Sequence, residues 1–276
     1  MPLAPAGHTE LHFRMHGSGG PQIVLIMGFG AGGNEWDALV DALSHDHQVL
    51  CFDHAGLGRS GPVVRRLDMA TLVTQVLGLM DHVGWTDAHI AGLSMGGMVV
   101  QHMALDHPER VRSATLMVTS AHGPTALRST RAAYRQLPRL VLGDEEVRAR
   151  AIVGLVHGPL GRARLGMDAL VARQRSLVGS VPFRVLREHW AAILGHDTRA
   201  QLSGVDIRTP TLIIGASEDS VIPPSETDRL AALLPTARLR WVDGAGHNVH
   251  LDGTAEVAQA LRRLIHSVES PRAQAG

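Results

Sequence analysis

Cysteine is almost absent from this sequence, and lysine is absent altogether. The single cysteine, Cys51, excludes an internal disulfide. It lies in the apolar run 49–52, which predicts a small buried residue of a strand rather than a reactive thiol. The missing lysine points to no function, because arginine supplies all 26 basic residues.

Net charge and long apolar runs are lacking as well. The 26 basic residues balance 26 acidic ones, so there is no electrostatic reason to expect a nucleic-acid or acidic membrane partner. The longest apolar runs, such as 23–29, are too short to span a bilayer. Residues 1–7 lack the basic and apolar regions of a secretory signal. We therefore expect a cytoplasmic protein whose 276 residues form one large domain with room for an insertion.

The stretch 91–97, Ala-Gly-Leu-Ser-Met-Gly-Gly, is the feature around which the chain is organised. It lies between a predicted strand and a predicted helix and contains the pattern G-x-S-x-G around Ser94. Such a turn is too sharp for side chains at Gly92 and Gly96. It would leave the Ser94 hydroxyl clear at a helix N-terminus, where amide dipoles favour negative charge. Taken alone, the pattern also fits an ordinary serine in a glycine-rich turn.

Strands and helices alternate through the first 120 residues. An edge strand is predicted at 10–16, and apolar runs typical of strands covered on both faces lie at 22–27 and 48–52. A helix with one apolar stripe is predicted at 68–83, and a strand at 113–119. This alternation predicts an α/β fold, with a mostly parallel sheet and helices on both faces.

The alternation stops between residues 121 and 205. Helical segments separated by glycine and proline are predicted there at 127–137, 144–156, 167–178 and 182–194. We expect 1–120 and 206–268 to form the two parts of one core domain, 121–205 to form a helical lid over the active-site edge, and 269–276 to be a flexible tail. The alternative for 121–205 is a set of covering helices with no part in substrate choice.

Four motifs, in this order, resemble those of the α/β-hydrolase superfamily in its lid-bearing, esterase-like form, over nearly the whole chain. Residues 92–96 match the nucleophile elbow, 53–60 the D-x-R-G-x-G-x-S loop, 215–223 the acid loop and 244–247 the histidine loop. The resemblance implies the α/β-hydrolase fold and a serine hydrolase that cleaves a carboxylic ester or lactone.

A catalytic triad follows from the chemistry that a serine nucleophile needs. A serine hydroxyl requires an adjacent base, and His247, in a glycine-flanked loop after a predicted strand, is the candidate. A carboxylate must hold the imidazole in one tautomer and stabilise its charged form. We assign that role to Asp219 rather than Glu218, because the resemblance places the acid four residues before the loop proline. His250 is expected to play a supporting part.

The oxyanion of a tetrahedral intermediate needs two hydrogen-bond donors. The elbow offers the backbone N–H of Met95, and the resemblance implies that of Phe29 in the glycine-rich loop after the strand at 22–27. The sequence departs from the family pattern at two positions. Met27 stands where the family has a histidine that braces this loop, and Ala55 replaces an arginine of the second loop.

A dinucleotide site is the competing interpretation of the glycine-rich loop. Gly28, Gly30 and Gly33 match G-x-G-x-x-G after a strand, and Asp53 ends the next strand, where a ribose-binding acid would lie. Only the hydrolase interpretation also accounts for the elbow and the two later motifs, so we expect no cofactor. No metal-ligand spacing is present, so we expect no metal site.

The substrate is expected to be a small-molecule ester, lactone or thioester. Its pocket is predicted to include Gly28, Met98, Phe183, Trp190 and Val221, which would make it largely apolar. The same scaffold leaves open thioester cleavage, acyl transfer or cyclisation, carbon–carbon hydrolysis, peracid formation and a receptor-like binding role. We expect a monomer or a homodimer.

Overall fold

The computed structural model describes residues 2–127, 131–177, 181–204 and 209–273. Its strands are β1 Leu3–Ala6, β2 Thr9–His16, β3 Gln22–Ile26, β4 Gln48–Phe52, β5 Ala88–Leu93, β6 Val111–Met117, β7 Thr211–Ala216 and β8 Arg238–Val242. They form one sheet in the order β1-β2-β4-β3-β5-β6-β7-β8. The pairs β1–β2 and β2–β4 are antiparallel, and all later pairs are parallel. The predicted mostly parallel sheet is confirmed.

Helices cover both faces of this sheet, and further helices form an insertion between β6 and β7. The described helices are α1 Asp37–Leu43, α2 Met69–His82, α3 Met95–Asp106, α4 Arg131–Leu142, α5 Glu145–Val156, α6 Pro159–Leu165, α7 Met167–Leu177, α8 Phe183–Leu194, α9 Arg199–Gly204, α10 Pro224–Leu233, α11 Val249–Asp252 and α12 Thr254–Ala273. None of the described helices is long and apolar enough to cross a membrane.

The strands are buried on both sides because alternate side chains enter two separate cores. In β3, Val24 and Ile26 pack with α2 and α3, whereas Ile23 and Leu25 pack with α1 and α12. This period of two explains why β3 is a continuous apolar run instead of an alternating one. Cys51 in β4 is buried as predicted, and burial raises the pKa of its thiol to about 11.

The described residues between β6 and β7 are mostly helical, and we call α4–α9 the helical insertion. Two of its helices differ from the prediction. The helix expected to end at residue 137 runs on to Leu142 as α4, with Pro138 inside it. Helix α6 was not predicted, and it begins at Pro159 because the missing N–H and fixed φ of proline suit the first turn of a helix. Residues 178–180, between α7 and α8, lie outside the described part of the chain.

The two chain ends also differ from the prediction. The short strand β1 pairs with β2 and buries Ala4 and Ala6, residues too small to give a strand pattern in the sequence. Residues 269–273 belong to α12 and not to a flexible tail. Glu269 anchors this end, since its carboxylate lies 3.2 Å from His89 Nε2 and 3.7 Å from the guanidinium of Arg112. Residues 274–276 lie outside the described residues.

Candidate active site

Ser94 occupies the turn between β5 and α3 in a strained backbone conformation. Its φ of +55° lies in the left-handed region that side chains other than glycine rarely adopt. A Cβ on Gly92 would overlap the carbonyl oxygen of Gly96, and a Cβ on Gly96 would overlap that of Ile26. The two glycines of the motif therefore permit the close approach of β5, α3 and β3 that imposes this conformation.

Two hydrogen bonds join the Ser94 backbone to the end of β6 and the residues that follow it. Its N–H donates to the carbonyl of Met117, 2.9 Å away, and its carbonyl accepts from Thr119 Oγ1 at 2.8 Å. Val118, between these two partners, has a φ of +44°, which is unfavourable for a β-branched residue. The end of β6 is thus strained where it supports the turn, and nothing in the sequence signals this.

Asp219 and His247 are in direct contact. Asp219 follows β7, and its Oδ2 lies 2.8 Å from His247 Nδ1. Its Oδ1 accepts from the backbone N–H groups of Val221 and Ile222, at 2.8 and 2.9 Å. The neighbouring Glu218 is exposed. With Nδ1–H donated to Asp219, His247 keeps Nε2 as a proton acceptor, the arrangement that a general base requires.

Ser94 and His247 line one cavity of about 920 Å³, and Asp219 lies behind His247. Within the described chain, the structure has no hydrogen bond between Ser94 and His247. Of the predicted pocket residues, four line this cavity: Gly28, Met98, Trp190 and Val221. Phe183 does not, since its side chain is 80% exposed. It stands in the first turn of α8, away from the face that buries Val185, His189 and Ala192.

The glycine-rich loop after β3 lies against the Ser94 turn. A Cβ on Gly28 would come within 3.3 Å of the Ser94 Cβ, so a larger residue there would crowd the serine. Phe29 lines the cavity, and its ring packs edge-on against Trp190 of α8 with centroids 5.6 Å apart. Met95 is the first residue of α3, and its side chain is fully buried. The two predicted oxyanion donors thus flank Ser94, from the loop and from the helix.

The carboxylate of Asp53 is engaged by groups of the protein itself, mainly in the loops that follow β3 and β4. One carboxylate oxygen accepts from the N–H of Gly33 at 2.7 Å, and the other lies 3.0 Å from His12 Nδ1 and accepts from the N–H of Arg59 at 3.1 Å. These contacts give the G-x-G-x-x-G match and its acid a structural role. In the described ranges, no group of three or more histidine, cysteine, aspartate or glutamate side chains is placed to hold a metal ion.

A further buried aspartate, Asp252, was missed by the sequence analysis. Its Oδ2 accepts from the N–H groups of Gly158 and Gly246, both at 2.8 Å, and its Oδ1 lies 2.6 Å from His157 Nδ1. Asp252 therefore ties the helical insertion to the loop that carries His247. No motif marks it, because two of its three partners, His157 and Gly158, are distant in sequence.

His250, expected near the site, lines the same cavity. Its ring packs edge-on against that of Trp36, with centroids 4.8 Å apart. Complete burial lowers the pKa of His250 to about 3, so its imidazole is neutral near pH 7. This position suits a residue that supports the cavity wall.

The model of the alpha/beta hydrolase fold family matches residues 21–254. The chain belongs to this family. A relative from Azorhizobium caulinodans, provisionally named carbamate hydrolase RutD, is 32% identical over 248 residues, which cover 90% of this chain and 91% of that protein.

Two solved structures are similar to the whole molecule. A hydrolase from Pseudomonas aeruginosa PA01 is 30% identical, with a TM-score of 0.80 over 95% of this chain and 97% of its own. The enol-lactonase from Burkholderia xenovorans LB400 is 26% identical, with a TM-score of 0.77 over 96% of this chain and 99% of its own. The family and these names support a hydrolase.

Proposed function

We propose that the protein is a serine hydrolase that cleaves carboxylic esters or lactones through an acyl-enzyme on Ser94. One observation carries the proposal. The His247–Asp219 pair, joined at 2.8 Å, opens onto the same cavity as the strained Ser94 turn. A serine, a histidine and an orienting carboxylate are the groups that acyl transfer requires.

The reaction proceeds in two halves. Ser94 Oγ attacks the substrate carbonyl while His247 Nε2 takes its proton, and the oxyanion accepts hydrogen bonds from the N–H groups of Met95 and Phe29. The intermediate collapses as His247 returns the proton to the leaving alcohol oxygen. Water then loses a proton to His247 and attacks the acyl-enzyme. The second intermediate collapses as the C–Oγ bond breaks and His247 returns that proton to Ser94 Oγ, which releases the acid and restores the serine hydroxyl.

The cavity supports a substrate of small to medium size. Its volume of about 920 Å³ is near the upper end of ordinary ligand pockets. Phe29, Met98, Trp190 and Val221 give its wall apolar surface around Ser94. The name of the enol-lactonase at 26% identity adds weight to a lactone.

The helical insertion acts as a lid in this proposal. It supplies several residues of the cavity wall, and these are Ile152, Val156, Gln174, Val181, Trp190 and Ile193. Because most of these side chains are apolar, the shape of the insertion decides which acyl and alcohol groups fit. The core supplies the reacting groups.

Carbamate cleavage is the second candidate, favoured by the name of the relative that is 32% identical. A carbamate carbonyl is attacked through the same tetrahedral geometry but is less electrophilic, because the adjacent nitrogen donates electron density to it. The two candidates therefore differ in the rate of the second half-reaction, in which water must attack a carbamoylated serine.

Three chromogenic probes with one leaving group separate these candidates: p-nitrophenyl acetate, p-nitrophenyl butyrate and p-nitrophenyl N-methylcarbamate. We expect the wild-type protein to turn over both esters and the Ser94→Ala variant to lose roughly 10⁴-fold or more in kcat. With the carbamate, release of one p-nitrophenol per chain followed by no further turnover would favour the ester assignment. Steady turnover of the carbamate would favour carbamate cleavage. Equal ester turnover by wild type and Ser94→Ala would contradict the proposal.

A further inference from the structure

Two buried histidines hold the glycine-rich loop on either side of Phe29. His54, in the loop after β4, places Nε2 at 2.9 Å from the carbonyl oxygen of Met27. His189, on α8 of the helical insertion, accepts a hydrogen bond at Nδ1 from the N–H of Gly30, 3.4 Å away. The two imidazoles also touch each other edge to face, with centroids 5.5 Å apart.

The protonation states that these contacts need are the states that burial favours. His189 can accept at Nδ1 only when that nitrogen carries no proton, and burial lowers the pKa of His189 to about 3. His54 must donate from Nε2, which its neutral form can do, and burial lowers the pKa of His54 as well. Both contacts therefore persist throughout the neutral pH range.

The loop needs such support because of its composition. Glycine occupies positions 28, 30, 32 and 33, and Gly30 has a φ of +66°. Glycine-rich segments lose more conformational entropy on ordering than others. Met27 offers no side-chain hydrogen bond at the position where the family resemblance places a bracing histidine.

We propose that His54 and His189 are positioning residues that fix the Phe29 N–H as an oxyanion donor. This inference rests on the proposed serine-hydrolase function. Because His189 engages the Gly30 N–H, that group is not offered to the oxyanion, and the Phe29 N–H that the family resemblance implies as donor lies between the two held positions. Through His189, the helical insertion then helps to stabilise the transition state and also forms part of the cavity wall.

Paired substitutions at His189 test the hydrogen bond apart from the bulk of the ring. Asparagine can place an acceptor oxygen near the Nδ1 position, whereas leucine fills similar space without an acceptor. We expect His189→Leu to lower kcat for p-nitrophenyl butyrate about ten- to hundredfold with KM changed less than about threefold, and His189→Asn to recover most of that loss. Removing an oxyanion donor outright costs about a hundred- to thousandfold, which sets the upper limit.

The control is Arg187→Gln on the same helix, whose largely exposed side chain forms an ion pair with its neighbour Glu188. We expect wild-type kinetics for this variant. Equal kcat for wild type and His189→Leu, or equal losses for the leucine and asparagine variants, would overturn the proposed role of the hydrogen bond.

A second pair at His54 keeps the inference testable if His189→Leu fails to fold, as thermal unfolding would reveal. Glutamine can place a donor near the Nε2 position, whereas leucine cannot. We expect His54→Leu to lower kcat and His54→Gln to retain most of it. Losses of equal size in the two variants would overturn the role given to His54.

The rate of inactivation by an alkyl fluorophosphonate separates this inference from the proposed function. Phosphonylation of Ser94 also places an oxygen in the oxyanion hole but needs no ester turnover. If the wild type reacts with the fluorophosphonate but hydrolyses no ester, lactone or carbamate, the proposed hydrolysis fails. The histidine variants are then compared by their rates of inactivation. We expect the same order among them, and equal rates would overturn the positioning role of His54 and His189.

Discussion

Asp219 is the residue whose environment most restricts what it can do. Two backbone N–H groups hold one of its oxygens, and His247 Nδ1 takes the other. The carboxylate cannot turn away without losing these bonds in a buried site, where an unpaired charge is costly. Its orientation therefore sets the orientation and tautomer of the His247 ring.

Asp219→Asn tests this role at the residue scale. The amide can offer its N–H₂ group to His247 Nδ1, which favours the tautomer with the proton on Nε2 and removes the base. We expect kcat for p-nitrophenyl butyrate to fall by on the order of a thousandfold or more. Glu218→Gln, which changes an exposed carboxylate one position away, is the control and should keep wild-type kinetics. Similar losses in both variants would contradict the assignment.

Cys51 makes the opposite case, a residue whose chemistry the fold suppresses. Because burial raises the pKa of its thiol to about 11, almost no thiolate exists at pH 8. We expect no reaction with a disulfide reagent such as Ellman's reagent in the native protein, and one thiol per chain after denaturation. Rapid reaction of the native protein at pH 8 would show that β4 opens readily.

At the scale of elements, the sequence predicted the strands and turns that follow from local residue patterns. It did not predict the features that depend on a single contact between distant residues. The strands β3 and β4 were predictable because apolar runs buried on both faces leave few alternatives. The elbow was predictable because its sharp turn leaves no room for side chains at two positions, where the sequence has glycine. The strained backbone of Val118, by contrast, results from its position beside Ser94 in the fold. Nothing about a valine in the sequence predicts that strain.

The same distinction applies to the candidate site. Ser94, Asp219 and His247 stand in ordered motifs, and the structure brings the last two into contact on one side of the cavity. His54 and His189 act through partners more than 20 residues away, and Asp252 binds Gly158, 94 residues away, so no spacing in the sequence reveals these contacts. Phe183 was assigned to the pocket by its residue type, but it lies outside the buried face of α8.

Gly96→Ala tests the packing of the elbow. The added methyl group would overlap the Ile26 carbonyl, a backbone atom that cannot rotate away. We expect the free energy of unfolding to fall by about 1–3 kcal/mol, the usual cost of overpacking, with loss of most esterase activity. Gly19→Ala is the matched control, because a Cβ at Gly19 meets nothing within 4 Å. Chemical denaturation of both variants measures the difference, and equal stabilities would contradict the packing argument.

At the scale of the whole molecule, one sheet presents the carboxyl ends of its parallel strands to one cavity, and residues of the helical insertion complete the wall of that cavity. The loops after β3, β5 and β7 carry Phe29, Ser94 and Asp219 to this edge, which is where open α/β sheets bind ligands. Asp252 joins the insertion to the loop of His247. The cavity is therefore enclosed by parts of the chain that hold one another in place.

Buried histidines make the whole fold sensitive to acid. Burial lowers the pKa of five of them, and these are His54, His89, His189, His196 and His250. The unfolded chain takes up these protons near pH 6.5, whereas the folded protein takes them up only at lower pH. Stability is therefore unaffected by these groups above about pH 6.5 and falls below it, by about 1.4 kcal/mol per pH unit for each proton excluded.

Urea unfolding between pH 7.5 and 5 measures this dependence. We expect the free energy of unfolding to decline below about pH 6.5. In His189→Asn, which removes one of the five groups, we expect the slope of free energy against pH to be smaller by the amount that corresponds to about one proton. A constant free energy from pH 7 to 5 would show that these side chains are protonated, and hence solvated, in the folded protein.

The central claim, an acyl group carried by Ser94, is tested most directly by mass spectrometry of the protein quenched in acid during turnover of p-nitrophenyl butyrate. The account predicts one butyryl group per chain, located on the peptide that contains Ser94, which disappears at the rate of steady-state turnover when substrate runs out. Turnover without any adduct, or an adduct on another residue that decays at the turnover rate, would contradict it.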